Sequence, residues 1–143
     1  LDEYLVSTIL SNGIRIPLLR ANAKGLIKID INDFEHKDIY AMATGRVLAA
    51  YAKELVRGLP DGVWNEVNSE DELKLNLEKI RQDGFYKTIT GKGQVVSIAV
   101  PVNIQPLGAF GCYAPVFRCD ENRTMEIVSL LKEAAKKVEQ ENL

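Results

Sequence analysis

Hydrophobic and polar positions divide the chain into three extended runs, two helical stretches, three further strands and a closing helix. Tyr4 to Leu10 (Y-L-V-S-T-I-L) is rich in β-branched and apolar residues, as a strand requires. Ser11-Asn12-Gly13 follows as a turn signal, because Asn and Gly accept turn conformations that other residues resist. Ile14 to Leu19 reads as a second strand. Pro17 inside it predicts an edge or a bulge, since proline has no N–H for the ladder. Ala21 to Gly25 is the next turn. Leu26 to Ile31 then alternates, with Ile27, Ile29 and Ile31 on one face and Lys28 and Asp30 on the other. That is the period of a half-buried strand. Asn32 to Asp38 is a polar loop.

The period then changes. Val47, Leu48, Tyr51, Ala52 and Leu55 recur at helical spacing and predict a helix over Ala43 to Leu55. Leu59-Pro60-Asp61-Gly62 breaks the chain. Ser69-x-x-Glu72 is a capping box with Ser69 as N-cap. Leu73, Leu77 and Ile80 form one stripe after it, and Gly84 supplies the C-terminal stop. Phe85 to Ile89 is a short strand, Thr90 to Gly93 a turn, and Gln94 to Val102 a long apolar strand. Gln105-Pro106 turns into a strand over Leu107 to Ala114. The last helix starts near Asp120 or Asn122, with Ile127, Leu131, Ala134 and Val138 on its buried face.

The order β-β-β-α-α-β-β-β-α predicts an α/β domain of the α+β type. Strands joined by short turns pair antiparallel, and helices cover the sheet. The stretch from Ile80 to Phe117 builds a floor for a small molecule, with no nucleophile set beside a base.

Composition narrows the function. The 143 residues are 46% hydrophobic, which suits a single globular domain over 1–143 with a sizeable core. The net charge is −2, so no basic excess is available to neutralise phosphates. No apolar run approaches a membrane span, and no signal-peptide pattern opens the chain. The chain starts at Leu1 rather than Met and enters a strand pattern at once, so it is expected to be a fragment with material missing upstream. Cys112 lies in an apolar strand as a core residue, and Cys119 just past it as a free thiol, with a disulfide between them as the alternative. A reducing cytoplasm is the simpler compartment. With one histidine and no C-x-x-C, neither a metal site nor a cofactor is expected.

Candidate chemistry is sparse. Cys112 with His36 would be a nucleophile–base pair, but His36 sits in the polar loop and Cys112 in a buried strand. Asp30, Asp33, Glu35 and Asp38 cluster in or beside that loop and read as solvated charge. Gly91-Lys92-Gly93 lacks Walker spacing and reads as a turn that borders a pocket. The helix start Ala41-Met42-Ala43-Thr44-Gly45-Arg46 is more informative. Small residues there let a ligand approach amides that the helix leaves unpaired, and its dipole favours carboxylates. Arg46 would add positive charge. The equal alternative is that Thr44 caps the helix while Ala43 and Gly45 allow close packing on the sheet.

Four stretches together resemble one family. They are Ala-x-Ala-x-Gly-Arg-x-Leu-Ala at 41–49, Ile80-Arg81-x-x-Gly84-Phe85, Ile98-Ala99-x-Pro101-Val102 and Ala114-Pro115-Val116-Phe117-Arg118. With the closing helix from Arg123 to Val138, they are similar in order and spacing to the C-terminal effector-binding domain of IclR-family bacterial transcription regulators. The resemblance implies a GAF/profilin-like fold with a curved antiparallel sheet. It implies a pocket for a small, often carboxylate-bearing effector, homodimers or homotetramers, and DNA contact only through an N-terminal winged helix-turn-helix that is missing here. It places ligand contacts at Met42, Ala43 and Thr44, at Leu26 and Ile29 on the preceding strand, and at Ser97, Gly111 and Tyr113 on the late strands. Gly111 and Tyr113 stand where small hydroxyl residues are common, and Tyr86 to Thr90 holds no counterpart of an acidic pocket residue. Two other readings remain: a ligand-independent oligomerisation module with its pocket filled by Met42 and Tyr113, and a small enzyme on the same scaffold.

Overall fold

The computed structural model describes residues 3–22, 25–27, 38–56, 58–60, 62–90 and 92–142; for residues 22, 25–27 and 90 it describes the backbone alone. Strand β1 (Tyr4–Ser11) turns through Asn12 and Gly13, whose φ angles of 52° and 75° are the left-handed values that an Asn-Gly hairpin supplies. Strands β2 (Ile14–Asn22) and β3 (Gly25–Ile27) follow. A single 3₁₀ turn, Ile39–Ala41, leads into helix α1 (Ala43–Tyr51). Helix α2 (Glu70–Asp83), strands β4 (Tyr86–Thr90), β5 (Val95–Val102) and β6 (Gly108–Pro115), and helix α3 (Glu121–Glu141) complete the order. This is the order of elements that the hydrophobic pattern predicts; of the third strand expected over Leu26 to Ile31, residues 28–31 lie outside the described residues.

The six strands form one antiparallel sheet in the order β3-β2-β1-β6-β5-β4, a GAF-like α+β architecture. Strand β1, first in the chain, pairs with β6, so the hairpins β1–β2 and β5–β6 meet in the middle of the sheet. Alternation along the central strands feeds two cores. Ala99 and Ala109 join α1, α2, Trp64 and Val67 on one face. Val96, Ile98, Val100, Val102, Cys112 and Ala114 join α3 on the other.

The bulge that Pro17 predicts is present. Ser7 pairs with Leu19 but Thr8 pairs with Pro17, so Leu18 is an extra residue on β2. Among the described residues strand β3 pairs with β2 from Arg20 to Asn22. Helix α2 is capped as predicted. The Ser69 hydroxyl accepts from the Glu72 N–H at 3.1 Å, and Gly84 closes the helix at φ 77°. The Glu72 carboxylate in return accepts from the Asn68 N–H rather than from that of Ser69.

Two helix boundaries differ from expectation. Helix α1 ends at Tyr51, not Leu55: Ala52 is extended, its N–H makes the last bond to Leu48, and Leu55 lies 63% exposed. From Ala43 to Ala50 every α1 residue is buried between the sheet and α2. The polar Lys53 and Glu54 could not continue that environment. On α3, Ala135 rather than Ala134 is buried, since Thr124, Ile127, Val128 and Leu131 set the stripe one position round.

Candidate ligand site at the start of the first helix

Helix α1 begins where its own geometry demands small residues. Met42 is the N-cap in extended backbone and offers no capping hydrogen bond. A Cβ on Gly45 would fall 1.8 Å from the Ile39 carbonyl oxygen, so only glycine lets the preceding turn fold back on the helix. Beneath the helix, Thr44 rests on β6. A Cβ on Gly111 would lie 2.6 Å from the Thr44 methyl and 3.1 Å from a Val6 methyl. Both glycines are therefore requirements of close packing, one against the turn and the other against the sheet.

Thr44 does not cap the helix. It is fully buried, and its hydroxyl accepts a hydrogen bond from Arg15 Nε at 2.7 Å. Cross-strand pairing places Val6 opposite both Gly111 and Arg20, and Leu10 opposite Arg15. Arg15, Arg20, Gly111 and the α1 start thus share one side of the sheet. Ser97, buried and paired with Tyr113, lies on that side as well. The Tyr113 hydroxyl is shielded from solvent and makes no hydrogen bond among the described residues. Burial raises its pKa above 10.0, opposed by Arg15, the neighbouring Thr44 hydroxyl and Arg20. The Thr44 oxygen is close enough to influence the phenol without meeting it in hydrogen-bond geometry. At neutral pH Tyr113 is a protonated phenol beside two guanidinium groups and a helix N-terminus, a setting suited to a carboxylate.

The structure brings Met42, Ala43, Thr44, Ser97, Gly111 and Tyr113 together around this point. Leu26 pairs with Ala21 on β3, with β2 and β1 standing between it and β6. Ile29 lies outside the described residues, as do His36, Asp30, Asp33 and Glu35. Arg46 corrects the sequence reading. It is 7% exposed and turned inward. Its guanidinium donates to the Tyr40 carbonyl at 2.7 Å, the Tyr86 hydroxyl at 2.7 Å and the Val63 carbonyl at 3.3 Å, and lies 4.4 Å from the Trp64 ring centre. Its charge is committed to holding the core together. The basic groups here are instead Arg15, bonded to Thr44, and Arg20, which acts on Tyr113.

Other candidates resolve simply. Cys112 and Cys119 are buried free thiols. Burial, with a smaller push from Glu3, raises Cys112 to about 12, the reverse of an activated nucleophile. Lys92 and Gly93 have φ of 58° and 83° and form the β4–β5 turn. Gly93 borders an open groove of about 670 Å³ with Tyr4, Gln94, Tyr113 and Phe117. Among the described residues no three His, Cys, Asp or Glu side chains are grouped to hold a metal, and no helix is long and apolar enough to cross a membrane.

No family model matches the chain, and no curated protein sequence matches it. Solved structures do. An IclR-type transcriptional regulator from Alicyclobacillus acidocaldarius superposes with a TM-score of 0.75 at 24% identity, over 96% of this chain and 60% of that one. The C-terminal domain of the Escherichia coli transcriptional regulator KdgR gives 0.73 at 19% identity, over 96% of this chain and 86% of that domain. This is the fold of the C-terminal domains of IclR-family regulators. A double mutant of the inducer-binding domain of the Acinetobacter transcription factor PobR, in complex with 3-hydroxybenzoic acid, shares the IclR-type fold at a TM-score of 0.68 and 18% identity, over 95% of this chain and 86% of that one. At these identities the likeness is one of fold. The chain spans about 60% of the length of the intact regulators it matches.

Proposed function

We propose that this chain is the effector-sensing domain of a transcription regulator, and that it binds a small carboxylate between the start of α1 and strand β6. The buried, unpartnered Tyr113 hydroxyl carries the reading. A buried polar group without a partner costs stability of about 1–3 kcal/mol, and a ligand atom at that point removes the penalty. Arg15, Arg20 and the first amides of α1 supply the positive potential that would orient a carboxylate toward Thr44. A hydroxylated aromatic acid, of the kind bound by the PobR domain, offers both a carboxylate and a second polar group. In the full-length protein a winged helix-turn-helix would precede this domain, and ligand would bias the DNA-binding arms through its preference between two states, typically about 1–3 kcal/mol.

Calorimetry and thermal shift against a panel of aliphatic and aromatic carboxylates test this. A ligand at about 100 times its Kd stabilises by about 2.7 kcal/mol. Failure of every carboxylate to raise the melting temperature would overturn the reading. It would favour a ligand-independent oligomerisation module, a reading that the direct seating of Thr44 on Gly111 supports.

A further inference from the structure

Strand β6 continues past the start of α1 into a second space. Alternate residues share one face of a strand, so Gly111, Tyr113 and Pro115 line the side on which Thr44 rests. Thr44 covers Gly111. Beyond it, Tyr4 stands opposite Tyr113, and Val95 opposite Pro115. These four residues, with Gly93 and Phe117, line an open groove of about 670 Å³. Among the described residues no charged side chain lines it.

Two features mark the groove as incomplete. Phe117 is 81% exposed, more than any other large apolar side chain described. A 3₁₀ turn, Val116–Arg118, follows β6 directly and sets Phe117 beside the groove. Tyr113 belongs to both spaces. It is half-buried, yet its hydroxyl is shielded, so the part it shows the groove is not the hydroxyl, which lies near Thr44.

Charge and length select the occupant. Arg15 bonds Thr44 at 2.7 Å, and Arg20 acts on Tyr113. A cation would be repelled from that inner end. A neutral apolar molecule would fill the groove and leave the Tyr113 hydroxyl without a partner. From Gly111 to Pro115 the extended strand runs about 13 Å, so a single-ring acid held at Thr44 would leave Phe117 uncovered.

We infer that the effector is an elongated carboxylate, with its anionic head at the Arg15–Thr44 end and an aromatic body lying along the groove from Tyr113 to Phe117. The rings of Tyr4, Tyr113 and Phe117 suit an aromatic body, which gains from edge and stacked contacts. The inference rests on the carboxylate reading of the site. It adds the length and apolar character of the ligand, and Phe117 as the residue that reads them.

Calorimetry with benzoate, phenylacetate, phenylpropanoate and phenylbutanoate tests it. Each added methylene is expected to tighten Kd by about two- to fourfold, for half to full burial. The matching phenylalkanols, which lack the charged head, are expected to bind at least about tenfold more weakly than the acids. Phe117→Ala, at an exposed position, is expected to flatten the series, with a thermal melt verifying the fold. Benzoate binding with no gain along the series would overturn the groove and leave the carboxylate site standing. So would a gain that Phe117→Ala leaves intact. Alcohols that bind as tightly as the acids would overturn the two-part ligand. If no acid binds, both the site and the groove fall.

Discussion

Replacing Gly111 by alanine gives a test in which the sign of the effect decides. A glycine in a strand without positive φ is ordinarily improved by a side chain, because alanine restricts the unfolded chain and stabilises by about 0.4–1 kcal/mol. At Gly111 the new methyl would sit 2.6 Å from the Thr44 methyl, 3.1 Å from a Val6 methyl and 3.5 Å from the Ile98 carbonyl oxygen. The Thr44 contact must open by about an ångström. Thr44 is fully buried and its hydroxyl is bonded to Arg15, so it yields only by rotating away from Arg15 or by lifting the start of α1. Overpacking of this kind costs about 1–3 kcal/mol. Set against the entropic gain, the net loss is about 0.5–2 kcal/mol, or roughly 2–6 °C in Tm for a chain of this size. Urea and thermal denaturation measure it. Thr44→Ser removes the opposing methyl and keeps the hydroxyl, so the double variant Gly111→Ala/Thr44→Ser should recover at least half of the loss in a double-mutant cycle. A stabilising Gly111→Ala, or a loss that Thr44→Ser leaves untouched, would refute the contact as the reason for the glycine.

Other outcomes follow from the same interior. Tyr113→Phe removes a buried hydroxyl that has no partner, so the unliganded domain should be unchanged or more stable by up to about 1 kcal/mol, while calorimetric affinity for a carboxylate effector falls. Arg46→Ala strips donors from the Tyr40 and Val63 carbonyls and the Tyr86 hydroxyl and empties the space over Trp64; a loss of about 2–4 kcal/mol by urea denaturation is expected, with Arg46→Lys recovering little of it. Cys112 holds its proton more tightly folded than unfolded, so its contribution to stability is complete below the free thiol value of 9.0 and declines as pH rises from there toward about 12. Denaturation midpoints measured across that alkaline range should fall, and less steeply in Cys112→Ala.

Much of the fold was legible in the sequence because its signals are local. The β-branched and apolar residues of Tyr4–Leu10, the apolar run Gln94–Val102, the Asn12-Gly13 turn, the Ser69 cap and the Gly84 stop each depend on a few neighbouring residues, and each stands where the pattern put it. Helix α1 is the instructive exception. Its apolar spacing continues to Leu55, yet the helix ends at Tyr51, where the cover of sheet and α2 ends.

The candidate site was legible in part. The sequence marked the small-residue start of α1 through residue type, because small side chains show where backbone can approach, and it named Gly111 and Tyr113 through the family resemblance. It assigned the positive charge to Arg46, which tertiary packing turns into the core. Arg15 and Arg20 are five residues apart, and strict alternation would place them on opposite faces. The extra residue Leu18 reverses that parity and brings both to the face beneath α1, and the same slip leaves the outer face of the hairpin uncharged. Pro17 announced that a bulge was possible. Only the pairing of β2 with β1 decided where it fell, because register is a property of two strands together.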